Sequence, residues 1–349
     1  MTIHIGNRTI GPNHEPFTIL EAGINHNGNL AMAKEMILVA RQAGADAIKF
    51  QTFKADEFIA DPNLLFTYKS QGKEVTESML EMFRRYEFTF DEWLEIKAEC
   101  DAKDIVFLST PQNISDLLLL LKIGVPALKV GSDDFTNLPL LKRYAAEKLP
   151  LMISCGMADL GEICDAVEAT GAMRGNPVML MLCTSQYPTP AQDANLLKLR
   201  TLAGAFPGIH LGFSDHTQGP YAAVASCALG ACIFEKHFTL DHDLPGPDHW
   251  FSENPVGAKE WVNAIRTAHR LLGNPVVQPT PSEMEMRPLA RRSITTLRDI
   301  AAGEALTEEN LGLRRPGTGL SPKLIERVWS HRARTAISKG TQLQLGDFE

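Results

Sequence analysis

Short apolar segments alternate along the chain with longer segments whose apolar residues have a helical spacing. The short segments are rich in β-branched residues and are apolar on both faces, which is typical of strands in a parallel sheet. Between them, stretches such as LAMAKEMILVARQAGA (30–45) and FDEWLEIKAECDAK (90–103) have helical periodicity. The predicted strands begin at residues 17, 47, 105, 127, 151, 178, 210 and 232.

This alternation of strand and helix predicts a closed (β/α)8 TIM barrel. A doubly wound sheet is the alternative, but no GxGxxG motif follows the first predicted strand. In a TIM barrel the active site lies at the carboxyl ends of the strands. Each predicted strand ends in polar residues, which we therefore expect to form one site: Glu21, Lys49, Gln51, Thr110, Lys129, Ser132, Ser154, Thr184, Ser185, Ser214, His216 and His237.

The chain changes character after residue 273. The segment NPVVQPTP (274–281) is rich in proline and predicts an extended linker. Beyond it, the pattern Ile-x-x-Gly-x-x-Leu begins at Ile300 and again at Ile337, which predicts a small pseudo-symmetric, β-rich module. We expect a barrel domain (1–273), a linker (274–281) and a C-terminal domain (282–349), which is small enough to need a surface to dock on.

Composition narrows the class of protein. A formal net charge of -8 argues against a nucleic-acid partner. The start of the chain has no signal-peptide pattern, and the longest leucine run (117–121) is too short to span a bilayer, so we expect a cytoplasmic protein without a membrane partner. The 6 cysteines form no CxxC pair, which indicates reduced core thiols.

The two histidines predict a metal site. His216 and His237 end neighbouring strands, so both imidazoles can reach one ion. Because no third strong ligand is evident, the pair favours a labile divalent ion such as Mn²⁺, with Mg²⁺ or Co²⁺ as further candidates, over structural zinc. The alternative is that His216 caps a turn and His237 is a hydrogen-bonded residue of the barrel.

The two lysines predict an anion site. Lys49 and Lys129 each interrupt an apolar strand, which is costly unless the charge is paired or faces a cavity. The hydroxyl residues at the strand ends favour binding of an anionic phosphoester. Two alternatives stay open: a Schiff-base lysine of an aldolase, or structural lysines paired with core carboxylates. Glu21 is a candidate general base, and Asp248 could accept hydrogen bonds from a polyol.

Several motifs together resemble the sialic acid synthase family, which includes N-acetylneuraminate, legionaminate and pseudaminate synthases. They are EAGINHNG, IKFQTFK, FLSTP, LKVGSDDFTN, CTSQYPTP, GFSDHT, FEKHFTLD, PGPDH and RRPGTG. The resemblance implies a barrel joined to a C-terminal antifreeze-like (SAF) domain that is swapped over the partner's active site in a homodimer. It also implies an enzyme that uses Mn²⁺, condenses phosphoenolpyruvate with an N-acylated hexosamine aldehyde, and releases phosphate.

The resemblance also implies roles for particular residues. It implies that His216 and His237 bind the metal and that Glu21 contacts the bound water. It also implies that Arg315, supplied by the partner's C-terminal domain, contacts the acyl group of the sugar. By the same resemblance, the residues that line the phosphoenolpyruvate pocket, with Lys49 nearby, are Lys129, Ser132, Thr110, Ser154, Ser185 and Ser214. The residues that would contact the sugar are Gln51, Tyr187, Asp134 and Asp248.

The chain departs from the family's pattern beside the sugar. Asp133 stands where relatives commonly have glycine, and Ser185 stands where some have asparagine. The motif EAGINHNG, in place of ELSANH, argues against the pseudaminate branch. We therefore expect N-acetylneuraminate synthesis from N-acetylmannosamine first, and legionaminate synthesis from 2,4-diacetamido-2,4,6-trideoxymannose second. A non-enzymatic alternative is an ice- or glycan-binding C-terminal module on an inert barrel.

Overall fold

The computed structural model describes residues 2–349. The chain forms two compact units, of which the first ends at Gly273 and the second spans Asn274–Glu349. The first unit is built on a parallel sheet, as the strands with two apolar faces predict. Its strands are β1 (Phe17–Gly23), β2 (Ala47–Thr52), β3 (Val106–Pro111), β4 (Leu128–Val130), β5 (Leu151–Ser154), β6 (Val178–Cys183), β7 (His210–Asp215) and β8 (Ala231–His237).

The sheet forms a nearly closed barrel. Its 8 strands are hydrogen-bonded in the order β3-β2-β1-β8-β7-β6-β5-β4, and β3 and β4, at the two ends of this order, lie side by side. The predicted (β/α)8 barrel is confirmed. The helices that follow successive strands are Leu30–Ala43, Phe90–Ala102, Ile114–Ile123, Leu138–Ala145, Leu160–Thr170, Lys198–Ala205, Tyr221–Ala228 and Pro255–Leu272, with short 3₁₀ turns at Ala172–Arg174 and Ala191–Asp193.

The inside of the barrel changes from apolar to charged along each strand. Alternate residues of a barrel strand face inward. In β8 the inward row is Ile233, Glu235 and His237, and only Ile233 belongs to the apolar interior cluster. A hairpin of Ile3–Ile5 and Arg8–Ile10 packs its isoleucines against that cluster and so covers the amino ends of the strands. The polar inward residues are left at the carboxyl ends.

The outward residues at the ends of β7 and β8 form a separate buried ion pair. Lys236 Nζ lies 3.0 Å from Asp215 Oδ2, and Trp261 Nε1 donates to the same oxygen at 3.0 Å. Asp215 therefore fastens the last helix to the sheet and faces away from the barrel interior.

A hairpin is inserted between β2 and the next barrel helix. Its strands, Leu65–Ser70 and Lys73–Ser78, are antiparallel and are joined at Gln71 and Gly72. Short helices at Ala55–Phe58 and Met79–Arg84 flank it. Phe66 and Tyr68 of this inserted hairpin pack over a small apolar cluster formed by Ile24, Phe53, Met82 and Tyr86.

The second unit has its own core. It contains the helix Pro281–Ala290, the antiparallel strands Ser293–Thr296 and Leu311–Arg314, and the short helical turns Pro322–Leu324 and Ile325–Val328. The first helix begins at the last residue of the predicted linker, because Thr280 caps it. Ile300 and Ile337, the starts of the two sequence repeats, pair with each other and are both buried in one core.

Much of the pairing in this unit consists of isolated bridges, so it has less regular strand than the sequence pattern suggests. Among residues 2–349, no helix has the length and apolar character needed to cross a membrane.

Candidate active site

A buried ion pair occupies the ends of β1 and β2. Glu21 and Lys49 are neighbours in the strand register, and Lys49 Nζ lies 2.8 Å from Glu21 Oε2. Lys49 also donates to Thr110 Oγ1 on β3 at 2.8 Å. Gln51 Nε2 donates to the other oxygen of Glu21 at 3.2 Å. Three neighbouring strands therefore contribute to one hydrogen-bonded group of predicted site residues.

Glu235 links this group to Lys129. One oxygen of Glu235 lies 3.8 Å from Lys49 Nζ, and the other lies 3.7 Å from Lys129 Nζ. Ser214 Oγ donates to Glu235 Oε1 at 3.2 Å, and Lys129 donates to Ser154 Oγ at 2.7 Å. Glu235 is absent from the residues that the sequence predicts for the site. The alternation of the strand could have found it, because Glu235 lies two residues before His237 and so shares its inward face.

The pKa values of the charged residues in this group are shifted in different directions. Burial raises the pKa of Glu21 to about 7, although Lys49 opposes the rise. Burial also raises the pKa of Glu235, but Lys129 and Lys49 outweigh it and leave that pKa below its ordinary value. Burial lowers the pKa of Lys49, yet Glu21 and Glu235 outweigh this and leave it raised. The group therefore keeps an ionised Glu235 between two lysines and a Glu21 that titrates near neutral pH.

Short hydroxyls converge above the end of β5, the strand that carries Ser154. The backbone N–H of Gly156 donates to Ser132 Oγ at 3.0 Å. A Cβ atom on Gly156 would lie 2.6 Å from Ser132 Oγ and closer still to Ser185 Oγ. Only glycine therefore allows Ser132 and Ser185 to approach each other above the end of β5. With Ser154 and Ser214, these hydroxyls provide the short donors that a phosphate or carboxylate needs.

The two histidines face each other across 5.4 Å between ring centroids. His216 Nδ1 lies 2.8 Å from the carbonyl oxygen of Thr184, so it donates there and leaves Nε2 as the available nitrogen. His237 Nδ1 is buried without a hydrogen-bond partner, and burial followed by the charge of His216 lowers the pKa of His237 well below its usual value. Neutral imidazoles are good ligands for divalent cations, so the available nitrogen of His216 and the unpartnered nitrogen of His237 fit such an ion.

The described residues 2–349 contain no cluster of three or more His, Cys, Asp or Glu side chains suited to a metal. An ion at His216 and His237 would therefore have only two protein ligands, and its other positions would be open to substrate and water.

Aromatic rings border the two histidines. The ring centroid of Tyr187 lies 4.2 Å from that of His216. The ring centroid of Phe251 lies 5.0 Å from that of Tyr187 and 5.3 Å from that of His237. Asp248 is half-buried, and burial raises its pKa to about 6. Asp134 accepts a hydrogen bond from Asn137 at 3.1 Å. This side of the site thus combines aromatic rings with carboxylates, which is a common composition for a polyol site.

Arg315 lies in the second unit. It is exposed, and within residues 2–349 its guanidinium makes no ion pair. Within the barrel, contacts join most of the predicted residues, whereas the side chain of Asp134, within residues 2–349, is hydrogen-bonded only to Asn137. The role expected of Arg315 stays a prediction.

Comparison with known proteins gives the family. Residues 36–277 match the model of the NeuB family, and residues 291–349 match the model of the SAF domain. The chain is 39% identical to an N,N'-diacetyllegionaminic acid synthase of Legionella pneumophila, over 94% of this chain and 93% of that one. It is 38% identical to a protein of the same name from Campylobacter jejuni, over 87% and 91%.

A solved structure agrees with these relatives. The crystal structure of an N-acetylneuraminic acid synthetase from Leptospira borgpetersenii superposes with a TM-score of 0.73 at 34% identity, over 82% of this chain and 94% of that one. The similarity of sequence and of fold covers the barrel, and the SAF match covers the end of the chain. This chain belongs to the NeuB family and carries a C-terminal SAF domain.

Proposed function

We propose that the charged end of the barrel binds phosphoenolpyruvate and joins it to the aldehyde carbon of an N-acylated hexosamine. As a member of the NeuB family, the chain is a phosphoenolpyruvate-dependent nonulosonic acid synthase, an enzyme that forms a carbon–carbon bond. The observation that carries the residue assignment is the buried group Lys49, Glu235 and Lys129, to which Ser154 and Ser214 are hydrogen-bonded.

Phosphoenolpyruvate has a phosphate and a carboxylate, and the site offers donors for both. Lys129 supplies a buried positive charge beside Ser154, and Ser132 and Ser185 converge above Gly156. Lys49 lies on the other side of Glu235, with Thr110 as its neighbour. Glu235 holds the two ammonium groups near each other when no anion is bound. An incoming anion then finds donors that are already oriented, and the reorganisation that binding requires is small.

The chemistry follows from this placement. Carbon 3 of phosphoenolpyruvate attacks the aldehyde carbon, water adds at carbon 2, and the tetrahedral intermediate expels phosphate. A divalent ion held by His216 and His237 would supply Lewis-acid polarisation of the aldehyde oxygen. Glu21 is suited to accept the proton of the attacking water, because its pKa of about 7 matches the working pH of a general base. Gln51 and Lys49 fix its two oxygens.

We place the sugar on the side of Tyr187, Gln51, Asp134 and Asp248. Because the two legionaminic acid synthases are 39% and 38% identical and the solved N-acetylneuraminic acid synthetase is 34% identical, the comparisons favour the diacetamido sugar. We therefore place 2,4-diacetamido-2,4,6-trideoxymannose first and N-acetylmannosamine second, which reverses the order expected from the sequence.

The test is phosphate release from phosphoenolpyruvate by the purified protein with Mn²⁺, with each sugar and without sugar. We expect release that needs both a sugar and the ion, with the highest kcat/KM for the diacetamido sugar. A higher kcat/KM for N-acetylmannosamine would overturn this order of acceptors and leave the reaction class unchanged. Chelation with EDTA, followed by separate addition of Mn²⁺, Mg²⁺ and Co²⁺, identifies the metal that supports turnover.

A Schiff-base aldolase is the competing reaction. Burial lowers the pKa of Lys129, as such chemistry requires, although the carboxylate of Glu235 opposes the shift. The polar surroundings of Lys129, with Ser154 and Glu235 in reach, favour anion binding instead. Borohydride treatment in the presence of pyruvate decides between them: a covalent adduct on Lys129 or Lys49 would establish the aldolase reaction.

We also propose a homodimer with domains 1–273 and 282–349, in which Arg315 of each chain serves the active site of its partner. Mixing two inactive variants tests this arrangement. Arg315→Ala keeps an intact barrel, and His216→Ala keeps an intact Arg315, so exchange of subunits should restore up to about one active site per mixed dimer. No recovery after proven subunit exchange would mean that Arg315 acts within its own chain, and an active Arg315→Ala variant would mean that Arg315 has no part in the reaction. The expected cytoplasmic location stays a prediction.

A further inference from the structure

The loop that carries Asp248 has no regular secondary structure. It follows β8 and runs from residue 241 to residue 250. On the barrel side, His249 Nδ1 lies 2.6 Å from Thr239 Oγ1, and His249 Nε2 lies 3.2 Å from Asn27 Oδ1. Ser252 Oγ donates to the carbonyl oxygen of Asp248 at 2.6 Å. These contacts fasten the end of the loop, close to Asp248, to the barrel.

The inserted hairpin contacts the same loop from the other side. The backbone N–H of Gly246 donates to Ser70 Oγ at 3.1 Å, and Gln71 Nε2 donates to the carbonyl oxygen of Asp243 at 2.8 Å. Lys69 Nζ lies 4.8 Å from the centre of the Trp250 ring, within the range of a cation–π contact. Three successive residues of the hairpin therefore hold three separate points of the loop.

The hairpin is itself firmly attached. Phe66 and Tyr68 cover the apolar cluster beneath it, and the Tyr68 hydroxyl donates to Glu77 at 2.6 Å on the facing strand. Glu77 in turn pairs with Arg85 at 2.7 Å. Because the hairpin is anchored to the barrel, its contacts with the loop hold the loop in a fixed position relative to the barrel.

The residue at the hairpin tip is unusual for its conformation. Gln71 has φ 49° and Gly72 has φ 74°, the conformation of a two-residue turn that favours asparagine, aspartate or glycine at the first position. Glutamine is a costly choice there, because a side chain with a Cβ atom is strained at positive φ. Its longer amide reaches the carbonyl of Asp243, which a shorter side chain at this position would not reach as easily.

The loop leads directly to the sugar side of the site. Trp250 stands edge-on to Phe251 at 5.6 Å, and Phe251 lies against Tyr187 and His237. We propose that the inserted hairpin, through Lys69, Ser70 and Gln71, is a positioning element for the acceptor sugar that holds the loop 241–250 with Asp248 facing the sugar. This inference rests on the proposed function, because it takes Asp248 as a contact of the acceptor. Lys69 and Gln71 are positioning residues and do not touch the reacting atoms.

Two variants separate positioning from stability. Gln71→Asn suits the turn better but shortens the amide, and Lys69→Met keeps the length of the side chain but removes its charge. We expect KM for the sugar to rise roughly fivefold or more in the double variant, as loss of a hydrogen bond and a cation–π contact allows. KM for phosphoenolpyruvate and the melting temperature should stay within error of the wild type. Lys73→Met, an exposed lysine on the same hairpin without a contact to the loop, is the matched control.

Hydrogen exchange gives a second readout that does not depend on turnover. Amides of residues 241–250 should exchange faster in the double variant than in Lys73→Met, with Gly246 as the most informative position. An unchanged KM for the sugar, or equal rises in the KM of both substrates, would overturn the inference in an active enzyme. If the wild type releases no phosphate with any sugar tested, the proposed function fails, and exchange alone then decides whether the hairpin holds the loop.

Discussion

Replacing Glu235 with glutamine tests the arrangement of charges in the site. The carboxylate lies 3.7 Å from Lys129 Nζ and 3.8 Å from Lys49 Nζ, so each attraction is about 4 kcal/mol at an effective dielectric constant of about 20. Much of this offsets the cost of burying the three charges. Breaking a buried pair by removing one partner typically costs about 3–5 kcal/mol, because it leaves an uncompensated charge. In a domain of this size the melting temperature should fall by roughly 6–10 °C.

Phosphoenolpyruvate should reverse much of that loss. If its anionic groups bind between the lysines, they replace the charge that Glu235→Gln removes, and the ligand stabilises the variant more than it stabilises the wild type. Asp215→Asn is the matched control, because Asp215 forms a buried pair with Lys236 on the outer face of the same strands. It should lose stability to a similar degree without a larger response to phosphoenolpyruvate.

The assay is thermal unfolding with and without saturating phosphoenolpyruvate, in the absence of sugar so that no turnover occurs. The expected result is a larger ligand-induced rise in Tm for Glu235→Gln than for the wild type and for Asp215→Asn. Equal rises in all three proteins would rule out an anion bound between Lys49 and Lys129.

Three further predictions concern the other parts of the site. Gly156→Ala should raise KM for phosphoenolpyruvate at least roughly tenfold in steady-state assays, because the added Cβ atom would displace Ser132 and Ser185. Gly204→Ala is the control, because a Cβ atom there meets nothing within 4 Å. It should leave this KM unchanged and stabilise the protein by about 0.5–1 kcal/mol. In pH profiles, kcat/KM for the sugar should fall in two steps: below about pH 7 as Glu21 is protonated and loses its role as base, and again below about pH 6 as protonation of Asp248 removes an acceptor. Asp248→Asn should keep the first step and lack the second. Titration of Mn²⁺ followed by electron paramagnetic resonance should show weaker binding in His216→Ala and in His237→Ala, and full affinity in His249→Gln would distinguish these ligands from the buried histidine nearby.

Hydrophobic patterning was enough to predict the barrel. The strands of this fold are covered on both faces, so each appears as a continuous apolar segment, and helical periodicity separates one from the next. The rule that function lies at the carboxyl ends of barrel strands then selected the residues that the structure brings together, such as Glu21, Lys49 and Lys129.

What the sequence left out depends on which face of a strand a residue occupies. In the segment CIFEKH three polar residues end one strand, and patterning alone did not show that Glu235 and His237 face inward while Lys236 pairs with Asp215 outside. The role of the inserted hairpin was also hidden, because its contacts join residues more than 170 positions apart. The acceptor sugar depends on loops of this kind, and their paths follow from tertiary contacts that no local pattern encodes.

Identification of the product is the decisive test of carbon–carbon bond formation at the charged end of the barrel. The protein should be incubated with phosphoenolpyruvate, Mn²⁺ and each candidate sugar, and the mixture examined by mass spectrometry and phosphate assay. We expect a nine-carbon 2-keto acid, whose mass is the sum of the sugar and pyruvic acid, formed in a one-to-one ratio with phosphate. Release of phosphate and pyruvate without any such acid would contradict formation of a carbon–carbon bond at this site.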